Sequence, residues 1–322
     1  FYIEKQGNFM RTILVTGGAG FIGSHITAAL VERGDRVRVL DNLSTGFEAN
    51  MQSFRDRIEF IQGDLLDQKA VAKAVDGVDC IFHEAALASV PRSVADPLAS
   101  HSHCVTGTVT LLNAARQAKV RRLVYAASSS AYGDQPYCSK REIDLPAPLS
   151  PYAAAKLSCE YYLQAFYATY GLETVAIRYF NVFGPRQDPN SEYSAVIPRF
   201  ITSMLSGNRP VIYGDGLQSR DFTFVANVVK ANLLAADAPN VAGRVFNAAN
   251  GKSTDLLTLI RLLNENLGLN IQPIHEPARV GDVRESLADI TMARKFLNYE
   301  PEIDFDEGLR RSIEYYRSII GK

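Results

Sequence analysis

The sequence predicts an α/β fold built on a doubly wound parallel sheet, followed by a smaller, irregular C-terminal lobe. Three observations carry that prediction. Short, nearly continuous apolar runs alternate with longer helical patterns through the first half; a glycine-rich turn lies directly between the first strand and the first helix; and after about Arg178 glycine and proline multiply. Strands that are apolar on both sides and separated by helices belong to a parallel sheet covered on both faces. At 322 residues, 47% hydrophobic and 21% charged, the chain suits one large α/β unit or two fused lobes and is too apolar for disorder.

The strands read in order as Thr12 to Thr16, Arg36 to Leu40, Ile58 to Ile61, Asp79 to His83, Leu123 to Ala127 and Thr174 to Arg178. Between them, Ser24 to Arg33, Gln68 to Val75, Ser102 to Ala118 and Tyr152 to Tyr170 carry helical periodicity with few breakers. Stretches such as FGPRQDPN and SGNRPVIYGDG then replace the alternation with short elements. Residues 10–178 are accordingly expected to form a Rossmann-type lobe, with segments near 222–250 returning to it. Residues 179–322 are expected to form the second lobe, closing over the carboxyl ends of the strands, where open α/β folds bind ligands. Residues 1–9 lack the basic start and long apolar core of a secretion signal and read as an upstream extension or cloning remnant.

Composition excludes several classes. With 34 basic against 35 acidic residues the chain lacks the excess positive charge of a general nucleic-acid binder. No run of eighteen apolar residues exists, so no membrane-spanning helix is expected. Cys80, Cys104, Cys138 and Cys159 show no CxxC spacing and read as reduced thiols of a cytoplasmic protein. His101 and His103, two apart on a helix, diverge and make a poor metal pair, so no metal is expected.

The strand TILVT runs into Gly17-Gly18-Ala19-Gly20-Phe21-Ile22-Gly23, and a helix follows. Small residues there let the backbone approach a pyrophosphate, and the helix start points amide hydrogens at it. Such a run also serves as a plain turn; its context decides. The second strand ends at Asp41, where a carboxylate can accept both ribose hydroxyls and would repel a 2′-phosphate, favouring NAD over NADP. Asp64, after the third strand, is placed to meet the adenine edge or to cap the helix from Leu65 onward.

Tyr152 and Lys156 stand four apart in SPYAAAK and share one face of a helix. A neighbouring ammonium favours a phenolate, the form that accepts a proton. Ser128-Ser129-Ser130 end the fifth strand upstream. Each feature alone has an ordinary structural reading. The cradle, a strand-end hydroxyl and YxxxK together point to hydride transfer.

These residues resemble the extended short-chain dehydrogenase/reductase family and, within it, the UDP-sugar 4-epimerases. The likeness runs essentially from Arg11 to the C-terminus through GGAGFIG, LDNLSTG, HEAA, ASSSAYGD, SPYAAAK, RYFNVFGPRQDPN, GDGLQSRDF and RVGDVRESLAD. It is greatest for bacterial UDP-N-acetylglucosamine 4-epimerases, through LASVPRSVADP and FNVFGPRQDPNSEYSAVIPRF. The resemblance implies an NAD site made by Gly17, Gly20, Phe21, Ile22, Gly23, Asp41, Asn42, Asp64, Leu65, Ala85 and Tyr179, the last flanking the nicotinamide. It makes Tyr152 the base on the sugar 4-hydroxyl and Lys156 its partner and ribose ligand. Ser128 would bridge Tyr152 to substrate, with Ser129 a second active-site serine and Ser130 and Ser89 at the sugar. Asn181, Arg220, Arg279 and Asp282 match positions that hold the UDP diphosphate and ribose, Val211 to Tyr213 match the uracil-binding strand, and Val196 borders the same site. Where the family reads Asn-Val-x-Gly-Thr, this chain has Cys104-Val105-Thr106-Gly107-Thr108, which removes one amide contact near the cofactor.

The resemblance thus implies redox-neutral inversion at C4 through a transient 4-keto sugar, with NAD retained as a prosthetic group. Ser286, four residues after Asp282, matches the far wall of the hexose pocket, where a small residue admits N-acetylated sugars. UDP-GlcNAc and UDP-GalNAc are therefore the expected pair, with UDP-Glc and UDP-Gal also accepted. The alternatives are an epimerase restricted to plain hexoses, a UDP-glucuronate epimerase or decarboxylase using Arg199 on a carboxylate, and an NAD-binding regulator without turnover. A 4,6-dehydratase would need an Asp-Glu pair where Ser129-Ser130 stand. A homodimer is expected, because the segments Ser102 to Ala118 and Tyr152 to Tyr170 carry apolar residues on more than one face; in the resembled family they pair as a four-helix bundle.

Overall fold

The protein is described by a computed structural model, which places residues 11–135, 139–189, 195–278 and 284–320. Seven strands are the frame: β1 (Thr12–Thr16), β2 (Arg36–Asp41), β3 (Ile58–Gln62), β4 (Cys80–His83), β5 (Arg122–Ser128), β6 (Glu173–Tyr179) and β7 (Arg244–Ala248). All neighbours are parallel, in the spatial order β7-β6-β5-β4-β1-β2-β3. The order reverses between β1 and β4, which opens a crevice at their carboxyl ends. Burial explains why these strands read as continuous apolar runs: β4 is buried at every residue and β5 at all but its last.

Eleven helices follow in chain order: α1 (Phe21–Arg33), α2 (Gln68–Val75), α3 (Val90–Ala95), α4 (Pro97–His101), α5 (Gly107–Gln117), α6 (Pro151–Tyr170), α7 (Val196–Leu205), α8 (Val225–Asp237), α9 (Leu256–Leu267), α10 (Thr291–Leu297) and α11 (Phe305–Ile320). Ile26 and Leu30 of α1, Val228 and Ala235 of α8 and Ala293 of α10 pack on one face of the sheet. Val71 of α2, Leu111 and Leu112 of α5 and Cys159 and Leu163 of α6 pack on the other. The second lobe has its own core, in which Ile197 and Ile201 of α7, Leu259 and Leu263 of α9 and Leu309 and Ile313 of α11 surround Phe183 and Phe224.

The first helix begins at Phe21 rather than Ser24, because Gly20 in extended conformation turns straight into it. The segment read as one helix from Ser102 is helical throughout and begins earlier, at Pro97: α4 runs to His101, a π-helical turn spans Ser102–Thr106, and α5 continues from Gly107. Such a wide turn commonly marks a functional wall. Here it turns Cys104 into the core, 1% exposed, and His83 ties it to the sheet by bonding Thr16 Oγ1 at 2.8 Å and Thr108 Oγ1 at 2.9 Å. Burial lowers His83 to about 3, so the imidazole is neutral, as one donor and one acceptor nitrogen between two hydroxyls require. Cys80, Cys104 and Cys159 are buried free thiols, and Cys138 lies outside the described residues.

The premise for a second apolar face also changes. Val105, Leu112 and Leu163 all turn inward, at 6%, 0% and 2% exposure, and Val109 is half-buried. The large apolar side chains left outside are Tyr161, Tyr162, Tyr167 and Tyr170 of α6, with Val90 and Val94 of α3 and Leu98 of α4, helices that pack beside α6.

A buried ion pair fixes α6 to the sheet. Arg178 of β6 donates to Glu160 at 3.0 and 2.7 Å, with side chains 3% and 2% exposed. Burial opposes the Arg178 charge and the bonds to Glu160 outweigh it, so the guanidinium stays ionised. Removing one partner strands the other charge. Glu160→Ala is expected to cost about 3–5 kcal/mol of stability, read as a lowered denaturant midpoint; an unchanged midpoint would show the pair to be dispensable.

Candidate functional site

The crevice begins at the glycine turn. Gly17 has φ +70°, and a Cβ there would lie 2.7 Å from Ala85 N; a Cβ on Gly23 would lie 2.2 Å from Gly17 O. The turn is therefore closed to side chains, leaving backbone to face a ligand. Gly20 caps α1 without a side-chain hydrogen bond, and no acidic residue occupies the first turn, so the positive end of the helix faces the crevice uncompensated. This cradle fits a dinucleotide pyrophosphate.

One half of the crevice is a cavity of about 200 Å³ lined by Gly17, Gly20, Asp41, Asn42, Asp64, Leu65 and Ala85. Asp41 is 8% exposed and also braces the cradle, accepting from Ala19 N at 2.9 Å and Leu43 N at 2.8 Å. Asn42 Nδ2 donates to Asp64 at 2.6 Å, fixing both side chains at the wall. The residue that caps α2 is Asp67, not Asp64, whose Oδ1 accepts from Leu66 N instead. Asp41→Ala is expected to reduce NAD retention or blunt discrimination against NADP by about tenfold or more, the worth of a lost charge-assisted bond. Purified variant still fully loaded with NAD would count against the ribose role.

The other half, about 490 Å³, shares Gly17, Gly20 and Glu84 with the first and extends along Phe21, Ile22 and Gly23 to Tyr152, Lys156 and Tyr179. Ser150 caps α6 by accepting from Ala153 N, and Pro151 starts the helix, which fixes Tyr152 in its first turn. Lys156 is buried; its ammonium donates to Ala126 O at 2.7 Å and lies 4.7 Å from the Tyr125 ring centre. Ser128 ends β5 with its Oγ 2.8 Å from Ser130 Oγ, and Ser129 opens the short 3₁₀ turn to Tyr132. Ser89 caps α3 by accepting from Arg92 N at 3.2 Å.

A further cavity of about 250 Å³ shares Ala195 with this one and is lined by Asn181, Val196, Val211, Tyr213 and Arg220 with Phe183, Phe200 and Phe222. Asn181 holds φ +33°, a conformation rare outside glycine and retained where surrounding structure imposes it. Arg220 pairs in parallel register with Ser286, which sits in a strand, Glu285–Ala288. Asp221, fully buried, locks this corner: it accepts from Asn250 N, Gly251 N and Ala288 N, and its own N–H donates to Ser286 O at 2.7 Å. Burial pushes its carboxyl up to about 6. Arg279 and Asp282 lie outside the described residues.

Sequence reasoning missed several walls. Glu84, Arg92 and His103 line the cofactor crevice, Gln187 and Asp188 border the Tyr152 end, and Gln218 lines the third cavity beside Arg199. Among the described residues no cluster of His, Cys, Asp or Glu can hold a metal, and no helix is long and apolar enough to cross a membrane.

A doubly wound sheet with a glycine cradle at its switch point and a tyrosine–lysine pair at the end of the same crevice defines an NAD-binding enzyme. Residues 13–249 match the NAD dependent epimerase/dehydratase family, and the chain belongs to it. A UDP-glucose 4-epimerase of Mycolicibacterium smegmatis is 39% identical over 96% of this chain and 99% of its own. The solved UDP-N-acetylglucosamine 4-epimerase of Methanobrevibacter ruminantium, in complex with UDP-N-acetylmuramic acid, is 42% identical at a TM-score of 0.92, covering 96% and 98% of the two chains. The Thermus thermophilus UDP-glucose 4-epimerase, solved with NAD, is 34% identical at a TM-score of 0.87, covering 96% and 99%. The protein is thus an isomerase-type enzyme with NAD as its cofactor.

Proposed function

We propose that this enzyme inverts C4 of UDP-hexoses, with UDP-GlcNAc and UDP-GalNAc as its principal pair and UDP-Glc and UDP-Gal as a second. The observation that carries this reading is the shared wall at Ala195, which lines both the Tyr152–Lys156 end of the cofactor crevice and the cavity of Asn181, Tyr213 and Arg220. A sugar nucleotide held in the second cavity presents its hexose to the first. Similarity to the acetamido-sugar epimerase of Methanobrevibacter ruminantium supports the same choice.

Bound NAD supplies the acceptor and donor of hydride at C4. The chain's own part is proton transfer and grip. Tyr152 takes the O4 proton as a phenolate and returns it to the inverted sugar, while the Lys156 ammonium, held by Ala126 O, stabilises that phenolate. The paired hydroxyls of Ser128 and Ser130 orient O4, with Ser129 and Ser89 completing the sugar wall. Arg220 and Asn181, with Arg279 and Asp282, hold the diphosphate and ribose, and Val211 to Tyr213 hold the uracil. Binding energy placed on UDP rather than on the hexose leaves the 4-keto sugar free to turn and present either face.

A second reading, action on UDP-glucuronate, is favoured by Arg199, a cation on the wall of the same cavity. Separate incubations with UDP-GlcNAc, UDP-Glc and UDP-GlcA, each followed by sugar analysis, decide among them. The proposal expects GalNAc first and galactose second; inversion of the glucuronate alone would replace it with the second reading, and no turnover of any would leave an NAD-binding regulator.

We also propose a cytoplasmic homodimer through α5 and α6. Exposed Tyr161, with Val94 and Leu98 at 66% and 78% exposure on the helices beside α6, supplies apolar surface that a second copy would cover. Sedimentation at micromolar concentration is expected to give twice the mass of the chain, and a monomeric mass would refute it.

A further inference from the structure

Glu84 follows β4 at the switch point, and neither proton transfer nor the grip on UDP uses it. Its side chain lines both halves of the cofactor crevice. A carboxylate is an odd choice for the floor of a crevice whose other nearby walls are Gly17, Ala86 and Ala126, because burying a charge without a counter-charge is costly. The protein nevertheless fixes it in place. The Tyr179 hydroxyl donates to Glu84 Oε1 at 2.8 Å, and Asn232 Nδ2, held on its other side by Val228 O, donates to that hydroxyl at 2.9 Å. Burial raises the Tyr179 phenol well above its usual range, so the phenol keeps its proton and donates it to the carboxylate. The Tyr179 bond and the Lys156 ammonium favour the ionised form of Glu84, but burial outweighs them and pushes the group up to about 7. The carboxylate is therefore held in position yet under-compensated by the chain itself.

The missing counter-charge belongs to the ligand. Of the two forms of a nicotinamide, the oxidised ring is cationic and the reduced ring is neutral. A carboxylate fixed on the floor that leads to Tyr179 and Lys156 discriminates between them by simple electrostatics, because a cationic ring favours its ionised form and a neutral ring does not. We propose that Glu84 is the counter-charge of the oxidised nicotinamide, biasing the crevice toward NAD over NADH. The bias keeps the resting enzyme in the form that can begin a turnover and drives the reduced form to give its hydride back. This role rests on the cofactor site and is independent of which UDP-sugar is turned over.

The test uses the full chain stripped of cofactor, with NAD and NADH titrated separately by calorimetry. Glu84→Gln keeps an oxygen for the Tyr179 hydroxyl and removes the charge; Glu84→Ala removes the charge by another route. In both, the ratio of NAD to NADH affinity is expected to fall by about tenfold or more, the size of one partly screened charge contact, chiefly through weaker NAD binding. A residue with a merely structural role would weaken both forms equally. An unchanged ratio in either variant would overturn the proposal, and so would an unmodified protein that binds neither form, which would remove the cofactor site itself.

Discussion

Tyr152→Phe leaves the fold and the retention of NAD intact and lowers turnover by about two or more orders of magnitude, the usual worth of general acid–base catalysis. The substitution removes one hydroxyl from the first turn of α6. The Ser150 cap, Pro151 and the ring's packing all remain. Lys156 keeps its 2.7 Å bond to Ala126 O, so that end of the crevice keeps its ammonium but loses the atom proposed to carry the O4 proton. Turnover and NAD content measured on the same preparation separate chemistry from binding. Activity near that of the unmodified enzyme would remove Tyr152 from the reaction.

The second large effect is on substrate choice. Ser286→Tyr is expected to reduce UDP-GlcNAc turnover by about a hundredfold or more while sparing UDP-Glc, since a filled pocket rejects a larger substituent far more strongly than an open one rejects a smaller. The strand Glu285–Ala288 accepts tyrosine readily by propensity, and Asp221 holds the backbone through Ser286 O and Ala288 N regardless of the side chain. Ser286 lies beside Arg220 in register, which brings it to the edge of the proposed nucleotide cavity. Kinetics with both sugars decide the matter: equal losses on both would mean damage to the corner, and no loss on the acetamido sugar would remove Ser286 from specificity.

The sheet and cradle were legible because their physics is local. Continuous apolar runs mark strands buried on both faces, and a glycine turn between strand and helix marks a phosphate approach; β1 and α2 coincide with the spans read from periodicity. The second lobe was less legible. Its strands Ser219–Arg220 and Thr254–Asp255 are two residues long and acquire meaning only by pairing across the chain. Helices α3 and α4, in LASVPRSVADPLASH, were not read as helices because each is barely a turn and starts at or beside proline. Glu84 escaped notice inside HEAA, where one carboxylate after a strand has no periodic signature; only the fold brings it to Tyr179 and Asn232. Arg92 and His103 escaped for the same reason, being carried to the Asp41–Asp64 half of the crevice by α3 and the π-helical turn.

In the proposed reaction one carbon of the sugar is oxidised and reduced in place, by a cofactor that never leaves. UDP-GlcNAc carrying deuterium at C4 tests it most directly. After incubation with the purified enzyme and no added cofactor, the predicted product is UDP-GalNAc with the deuterium still on C4; deuterium lost to water, or inversion that requires added NAD in proportion to product, would contradict it.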